Sequence, residues 1–203
     1  METTETKNLS EKNTKEVTEV LSRTFYDYPV MRYVLGDNYN YNERLYKLVG
    51  FFVAARVLRN EPMVGIYGKK NILAAAAIVT LPGDTPAPYK LIEHRKKLWQ
   101  QLGIEEQKRY KNYGDVASSL MPKEPHHHLN MIGVIPEYKG NGLSRKLINE
   151  VEKLVTSHPE SIGLSLNTES VSNVKLYTHL GFNEIGHARV DDNLETWAFF
   201  KPR

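Results

Sequence analysis

Apolar positions along the chain repeat with two periods, and the order in which they alternate predicts a mixed α/β sheet. Val17, Val20, Leu21 and Phe25 fall at i, i+3, i+4 and i+8, one helical face, with Asn13 or Thr14 as the cap. Pro29 interrupts that helix, and a run from Val30 to Gly36 follows. Leu45, Leu48, Val49, Phe52 and Val53 mark a second helix. Met63–Tyr67 and Ile72–Leu81 read as a hairpin around Gly68-Lys69-Lys70-Asn71, stopped by Pro82-Gly83-Asp84. Residues 84–120 are polar and helical, an insertion with Leu91, Leu98, Trp99 and Leu102 as its apolar contacts. Pro122 and Pro125 precede a strand from His127 to Val134, which Pro136 ends. A helix over 140–157, a strand over 162–167, a short helix over 171–180 and two final strands complete the pattern. Residues 1–13 are polar and are expected to be flexible, leaving 14–203 as one domain.

Composition narrows the chemistry. The 203 residues include no cysteine, which removes disulfides, a thiolate nucleophile and Cys-ligated metal. A net charge of +3 without a basic stripe gives no case for nucleic acid. No apolar run approaches the ~20 residues of a membrane span. The first residues lack a basic region followed by an apolar one, so no signal peptide is expected and the cytoplasm is the expected location.

The most informative stretch is Ile132-Gly133-Val134-Ile135-Pro136-Glu137-Tyr138-Lys139-Gly140-Asn141-Gly142-Leu143-Ser144. A strand ends, glycines follow, and a helix begins. Free amides and the helix dipole at such a junction attract an anion, and glycine lets the backbone approach it. Arg145 stands where a dinucleotide fingerprint needs a third Gly or Ala, and no Gly-Lys-Ser/Thr closes a P-loop. By itself Gly-x-Gly is also an ordinary strand-to-helix turn.

The residues around it carry a resemblance. Lys139-x-x-Gly142-x-Ser144 resembles the Gln/Arg-x-x-Gly-x-Gly/Ala loop of the GNAT superfamily of acetyltransferases. Asn173-Val174-Lys175-Leu176-Tyr177-Thr178-His179-Leu180-Gly181-Phe182 is similar to that family's Asn-x-x-x-Tyr-x-x-x-Gly-Phe helix. Thr24-Phe25-Tyr26-Asp27-Tyr28-Pro29, Pro122-Lys123-Glu124-Pro125 and Glu195-Thr196-Trp197 extend the likeness toward the GNAT group around puromycin N-acetyltransferase. The departures are Lys139, which keeps the charge but not a planar fork, and Ser144, which stays small.

The resemblance implies a mostly antiparallel sheet whose central strand splays from its neighbour at a bulge, with the pantetheine arm entering the gap. It implies acetyl transfer from acetyl-CoA to a primary amine of a small molecule, directly in a ternary complex and without a metal. Lys139, Gly140, Asn141, Gly142, Leu143 and Ser144 would hold the pyrophosphate, and Ile132, Gly133 and Val134 the pantetheine arm. Tyr177 would act as general acid and Asn173 would bond the arm or the strand.

The base is open between His128 and Glu169. His128 shares a strand face, by period two, with Asn130, Ile132 and Val134. His126, His127 and His128 are otherwise a solvated strand start, and as alternating residues they cannot converge on one ion. Tyr26, Tyr28, Asn130, Glu169 and Trp197 are the candidate acceptor contacts, with Tyr33 as a further aromatic. The partners implied are a small-molecule amine, no nucleic acid and no membrane, with a homodimer as the candidate assembly. The competing functions are a peptide acetyltransferase of the same fold and a non-catalytic CoA-binding module.

Overall fold

The computed structural model describes residues 4–37, 39–83 and 85–203. The expectations that fall on residues 1–3 and on Asp84 lie outside them. Seven helices and seven strands are found among the described residues: β1 (Glu5–Leu9), α1 (Thr14–Thr24), α2 (Pro29–Leu35), α3 (Tyr41–Leu58), β2 (Met63–Tyr67), β3 (Leu73–Thr80), α4 (Tyr89–Leu102), α5 (Ile104–Ser119), β4 (His127–Val134), α6 (Leu143–Thr156), β5 (Gly163–Thr168), α7 (Val171–His179), β6 (Asn183–Asp191) and β7 (Leu194–Pro202). The strands form one sheet in the order β1-β2-β3-β4-β5-β7-β6. Every neighbouring pair is antiparallel except β4 and β5. Among the described residues no helix is long and apolar enough to cross a membrane.

The amino-terminal segment corrects the sequence reading. Residues 5–9 are not a flexible tail but strand β1, in register with β2 from Glu5↔Tyr67 to Leu9↔Met63. Its side chains are mostly polar and none is fully buried, as an edge strand tolerates, so hydrophobic periodicity does not reveal it. Ser10 and Asn13 then form a reciprocal cap that turns the chain into α1.

Two apolar layers sandwich the sheet. Helices α1 to α5 cover one face, where Leu21, Leu48, Ile78 and Met131 pack together. Helices α6 and α7 cover the other, where Leu147, Val151, Leu166, Tyr177 and Phe199 pack. The alanines of β3 are fully buried, which explains why this Ala run is a strand: it is a central strand with a layer on each side. The inserted helices dock on α3 through an Arg44–Glu106 ion pair at 2.6 Å and a stacked Phe52–Tyr110 pair at 5.8 Å.

Strand β4 contains a bulge. Ile78 faces Met131 and Val79 faces Leu129, which leaves Asn130 as an extra residue. The bulge reverses the phase of the strand. Leu129, Ile132 and Val134 join the α6 layer, while Met131 joins the α1–α5 layer. The shared face expected for His128, Asn130, Ile132 and Val134 is therefore broken at Asn130. Asn130 Oδ1 accepts from Thr80 and from Arg56 of α3, on the side opposite Ile132.

Gly133 sets how closely α1 approaches the sheet. A Cβ there would overlap the hydroxyl of Thr24, and Thr24 is anchored by its bond to the Leu21 carbonyl at 3.0 Å. Gly133→Val should push α1 off the sheet and cost about 1–3 kcal/mol, an overpacking penalty. Thermal unfolding should show a clear fall in Tm; an unchanged Tm would refute this account of the contact.

Candidate active site

The parallel pair β4 and β5 is joined only at His127↔Leu164 and His128↔Ser165. Beyond these residues the strands part, so β4 from Leu129 to Val134 has a partner on the β3 side only. A cavity of about 1030 Å³ passes through this gap. One end reaches the loop before α6 and the other lies among α1, α3, α4 and α5.

At the loop end, Gly140 and Gly142 have φ of +81° and +72°, a region that L side chains adopt rarely. A Cβ on either would meet nothing within 4 Å, so backbone conformation rather than crowding calls for glycine, and the space above the loop is open. Gly142 is the N-cap of α6, and the amides of Leu143, Ser144 and Arg145 have no carbonyl one turn back inside the helix. The loop is held in place by Tyr138, whose hydroxyl accepts from the Lys69 amide at 3.1 Å and whose ring fills the space a Cβ of Gly68 would need. Asn141 donates to the Tyr138 carbonyl. Lys139 and Arg145 are exposed beside the open amides. These residues suit a pyrophosphate: free donors, positive potential and no side chain in the way.

In the middle, Asn173 and Tyr177 sit one turn apart on α7 and both line the cavity. Asn173 Nδ2 donates to Thr168 Oγ1 at 3.2 Å, which ties α7 to the end of β5. Tyr177 packs on Phe182 and Phe199. Burial, and then the Glu169 carboxylate, raise its phenol well above the ordinary value, so it keeps its proton.

The buried acid of the site is Glu169, 7% exposed. Its Oε1 accepts from Tyr113 of α5 at 2.9 Å and from Thr196 of β7 at 2.8 Å. Tyr28 closes the group: its hydroxyl bonds Thr168 Oγ1 at 2.8 Å and accepts from the Glu169 amide at 3.1 Å. Burial pushes the Glu169 carboxyl up to about 7 even though these hydrogen bonds pull it down. Tyr113 escapes sequence reasoning because nothing near it in the chain marks it, its contact joining residues 56 positions apart, and Thr196 lies in a stretch that carries the likeness but nothing there ties it to Glu169.

The other expected residues divide. His128 lines the cavity, with Nδ1 on Ser165 Oγ at 2.8 Å, and burial lowers it to about 4. Its neighbour His127 points to the α6 side, against His158 and Ser161. His126 bonds the Glu124 carbonyl. Ile132, Gly133, Val134, Lys139, Gly140, Gly142, Leu143, Ser144, Tyr28 and Asn130 line the cavity. Three aromatics do not. Tyr26 is exposed and stacks under Arg32, and Tyr33 accepts from Asn112. Trp197 stacks on His187 of β6 at 4.5 Å. Tyr26 lies in the turn between α1 and α2, Tyr33 on α2 and Trp197 on β7, and the aromatic residues that line the cavity besides Tyr28, Tyr113, Tyr138 and Tyr177 are Phe25, Phe51, Phe52 and Tyr110. The signal for Phe52 was present, since it belongs to the apolar face of α3.

Solved structures share this architecture. A Corynebacterium glutamicum protein described as histone acetyltransferase HPA2 and related acetyltransferase superposes with a TM-score of 0.70, at 15% identity over 100% of this chain and 98% of that one. The polyamine N-acetyltransferase of Drosophila melanogaster gives 0.72 at 15% identity, covering 99% and 100%. Arylalkylamine N-acetyltransferase 2 from Aedes aegypti gives 0.67 at 16% identity, covering 98% of both. At these identities the likeness establishes the fold. The family profile described as an acetyltransferase (GNAT) domain matches residues 95–199, more than half of the chain, spanning β4, the glycine loop, α6 and α7. By sequence profile and by fold, the chain belongs to the GNAT acetyltransferase family.

Proposed function

We propose that the protein transfers an acetyl group from acetyl-CoA to the primary amine of a small molecule, directly within a ternary complex. The observation that carries this reading is one continuous cavity that joins the glycine loop to Glu169 through the gap between β4 and β5. GNAT acetyltransferases use acetyl-CoA, which supplies the activated acyl group; the chain supplies the rest. The α6 amides, with Lys139 and Arg145 beside them, bind the pyrophosphate. The unpaired edge of β4 at Ile132, Gly133 and Val134 orients the pantetheine arm and offers a donor for the carbonyl oxygen. Asn173 fixes the start of α7, and Tyr177 Oη holds the proton that the departing sulfur needs. Glu169 takes the proton from the amine. At about 7 it is a usable base at neutral pH, whereas His128, lowered to about 4, binds a proton too weakly for that role. We therefore give the base role to Glu169 and leave His128 to line the gap.

The acceptor half is walled by α3, α4 and α5 and by aromatic side chains, which favours a small molecule over a peptide. The polyamine and arylalkylamine enzymes of the same fold support a small amine, and so does the likeness to the puromycin N-acetyltransferase group. Release of free thiol from acetyl-CoA, measured over a panel of small amines and lysine peptides, tests the reading. Amine-dependent release is expected with members of the small-amine set. Release with peptides alone would transfer the assignment to the peptide enzymes.

The cofactor end makes a separate prediction. Gly142→Val places a branched side chain above the α6 amides and strains the +72° backbone. Losing hydrogen bonds to a charged group, about 1.5–3 kcal/mol, lowers acetyl-CoA affinity roughly 10–100-fold. Calorimetry on variant whose circular dichroism matches the parent checks this. Undiminished affinity would remove the loop from the binding site.

A further inference from the structure

We infer that the acceptor carries an anionic group, carboxylate or phosphate, at the end remote from its amine, and that Arg59 and Arg95 receive that group. The inference rests on the acetyltransferase reading and specifies its substrate class.

The charges along the acceptor half are unevenly placed. Glu169 lies at the inner end. Arg56, Arg59 and Arg95 line the part bounded by α4 and the carboxyl-terminal end of α3. Helix α5 runs between the two ends. Its Tyr113 hydrogen-bonds Glu169, while Tyr110, one turn earlier, lies within electrostatic reach of Arg56 and Arg95. Aromatic side chains line the space between, with Phe52 stacked on Tyr110. The walls thus suit an apolar body with a different polar group at each end.

The three guanidinium groups are not equivalent. Arg56 is compensated: its Nε is 3.0 Å from Glu61 Oε2, and its Nη1 donates to Asn130 Oδ1 at 2.7 Å. Arg59 donates to the Thr85 carbonyl at 2.8 Å and, among the described residues, pairs with no carboxylate. Arg95 is exposed on α4 and, among the described residues, has no carboxylate within ion-pair distance.

A second recess of about 290 Å³ shares Arg56 and Arg59 with the main cavity and is lined by Glu61, whose carboxylate is paired with Arg56, and by polar Thr80 and Thr85. It extends the apolar chamber with a pocket for a polar end group. A guanidinium presents a planar set of donors that matches carboxylate or phosphate. Two such cations, neither paired with a carboxylate among the described residues, also oppose a second cation on the acceptor, so a diamine is selected against.

The test compares four acceptors of one chain length: 6-aminohexanoate, 6-aminohexyl phosphate, hexylamine and 1,6-diaminohexane. N-acetylated product is measured by mass spectrometry, with acetyl-CoA saturating. One of the two anionic probes should show a kcat/KM roughly tenfold above hexylamine, the size of a charged hydrogen bond, and which one does so separates carboxylate from phosphate. Diaminohexane should be the poorest. In Arg59→Gln and Arg95→Gln the ratio of the preferred anionic probe to hexylamine should fall toward one. Acetyl-CoA affinity, followed by calorimetry in the same variants, separates this effect from damage at the loop. Hexylamine matching or exceeding both anions, or a ratio unmoved by both variants, overturns the inference while leaving the acetyltransferase reading intact. Product from none of the four counts against both.

Discussion

Replacing Tyr177 by phenylalanine should lower kcat by on the order of 10²–10⁴-fold while acetyl-CoA affinity stays near that of the parent. The ring packs on Phe182 and Phe199, and phenylalanine keeps those contacts. What it loses is the only proton the side chain can give. Burial and the nearby Glu169 hold that proton on the phenol well beyond neutral pH, so the acid is fully loaded wherever the enzyme works. For the same reason no alkaline limb from this group should appear below about pH 10, the ordinary phenol value. Steady-state kinetics at saturating acetyl-CoA, with folding checked by circular dichroism, reads the effect. A variant of full activity would reduce Tyr177 to a packing residue.

Glu169→Gln should cost a similar factor, on the order of 10²–10⁴ in kcat/KM. The amide keeps the shape and one acceptor for Tyr113 and Thr196 but takes up no proton at neutral pH. In the parent, activity should fall as pH drops through about 7, because the carboxylate becomes protonated there. That acidic limb should be absent from whatever activity the variant retains. Stability moves the opposite way. A carboxyl raised in the folded state from 4.5 to about 7 contributes fully below 4.5, and that contribution is lost as pH rises through 7. The variant should therefore be no less stable than the parent at pH 8, which separates lost chemistry from lost fold. If the acidic limb survives in Glu169→Gln, the base lies elsewhere, and His128 becomes the next residue to replace.

The glycine loop and α7 were legible because their meaning is local. Gly140 and Gly142 need positive φ, and Asn173 and Tyr177 need only one helical turn to share a face. The alternation of helices and strands was legible for the same reason, since each period is short. Strand β1 was not, because an edge strand whose first four residues are Glu, Thr, Lys and Asn carries no apolar alternation and is identified by its register with β2. The resemblance implies a bulge on the central strand, but its position at Asn130 was hidden. Nothing in His127–Val134 marks an extra residue; the shift appears only against the partners Ile78 and Val79. That shift moved Ile132 and Val134 to the opposite side from His128 and Asn130. The acceptor walls depend on how α4 and α5 return to the sheet, so Tyr113 meets Glu169 through tertiary packing that pairwise spacing does not encode. Tyr26 and Trp197 were chosen for their chemistry, yet one faces solvent and the other packs along β6.

The central claim is direct transfer from acetyl-CoA to an amine, both held in one cavity. The chain has no cysteine, so a thioester relay through an enzyme thiol is chemically closed to it. Initial velocities measured with acetyl-CoA and an accepted amine varied together test this most directly. The account predicts double-reciprocal lines that intersect, with one N-acetylated product formed per free thiol. Parallel lines accompanied by an acetylated enzyme, detected by mass spectrometry in the absence of amine, would contradict it.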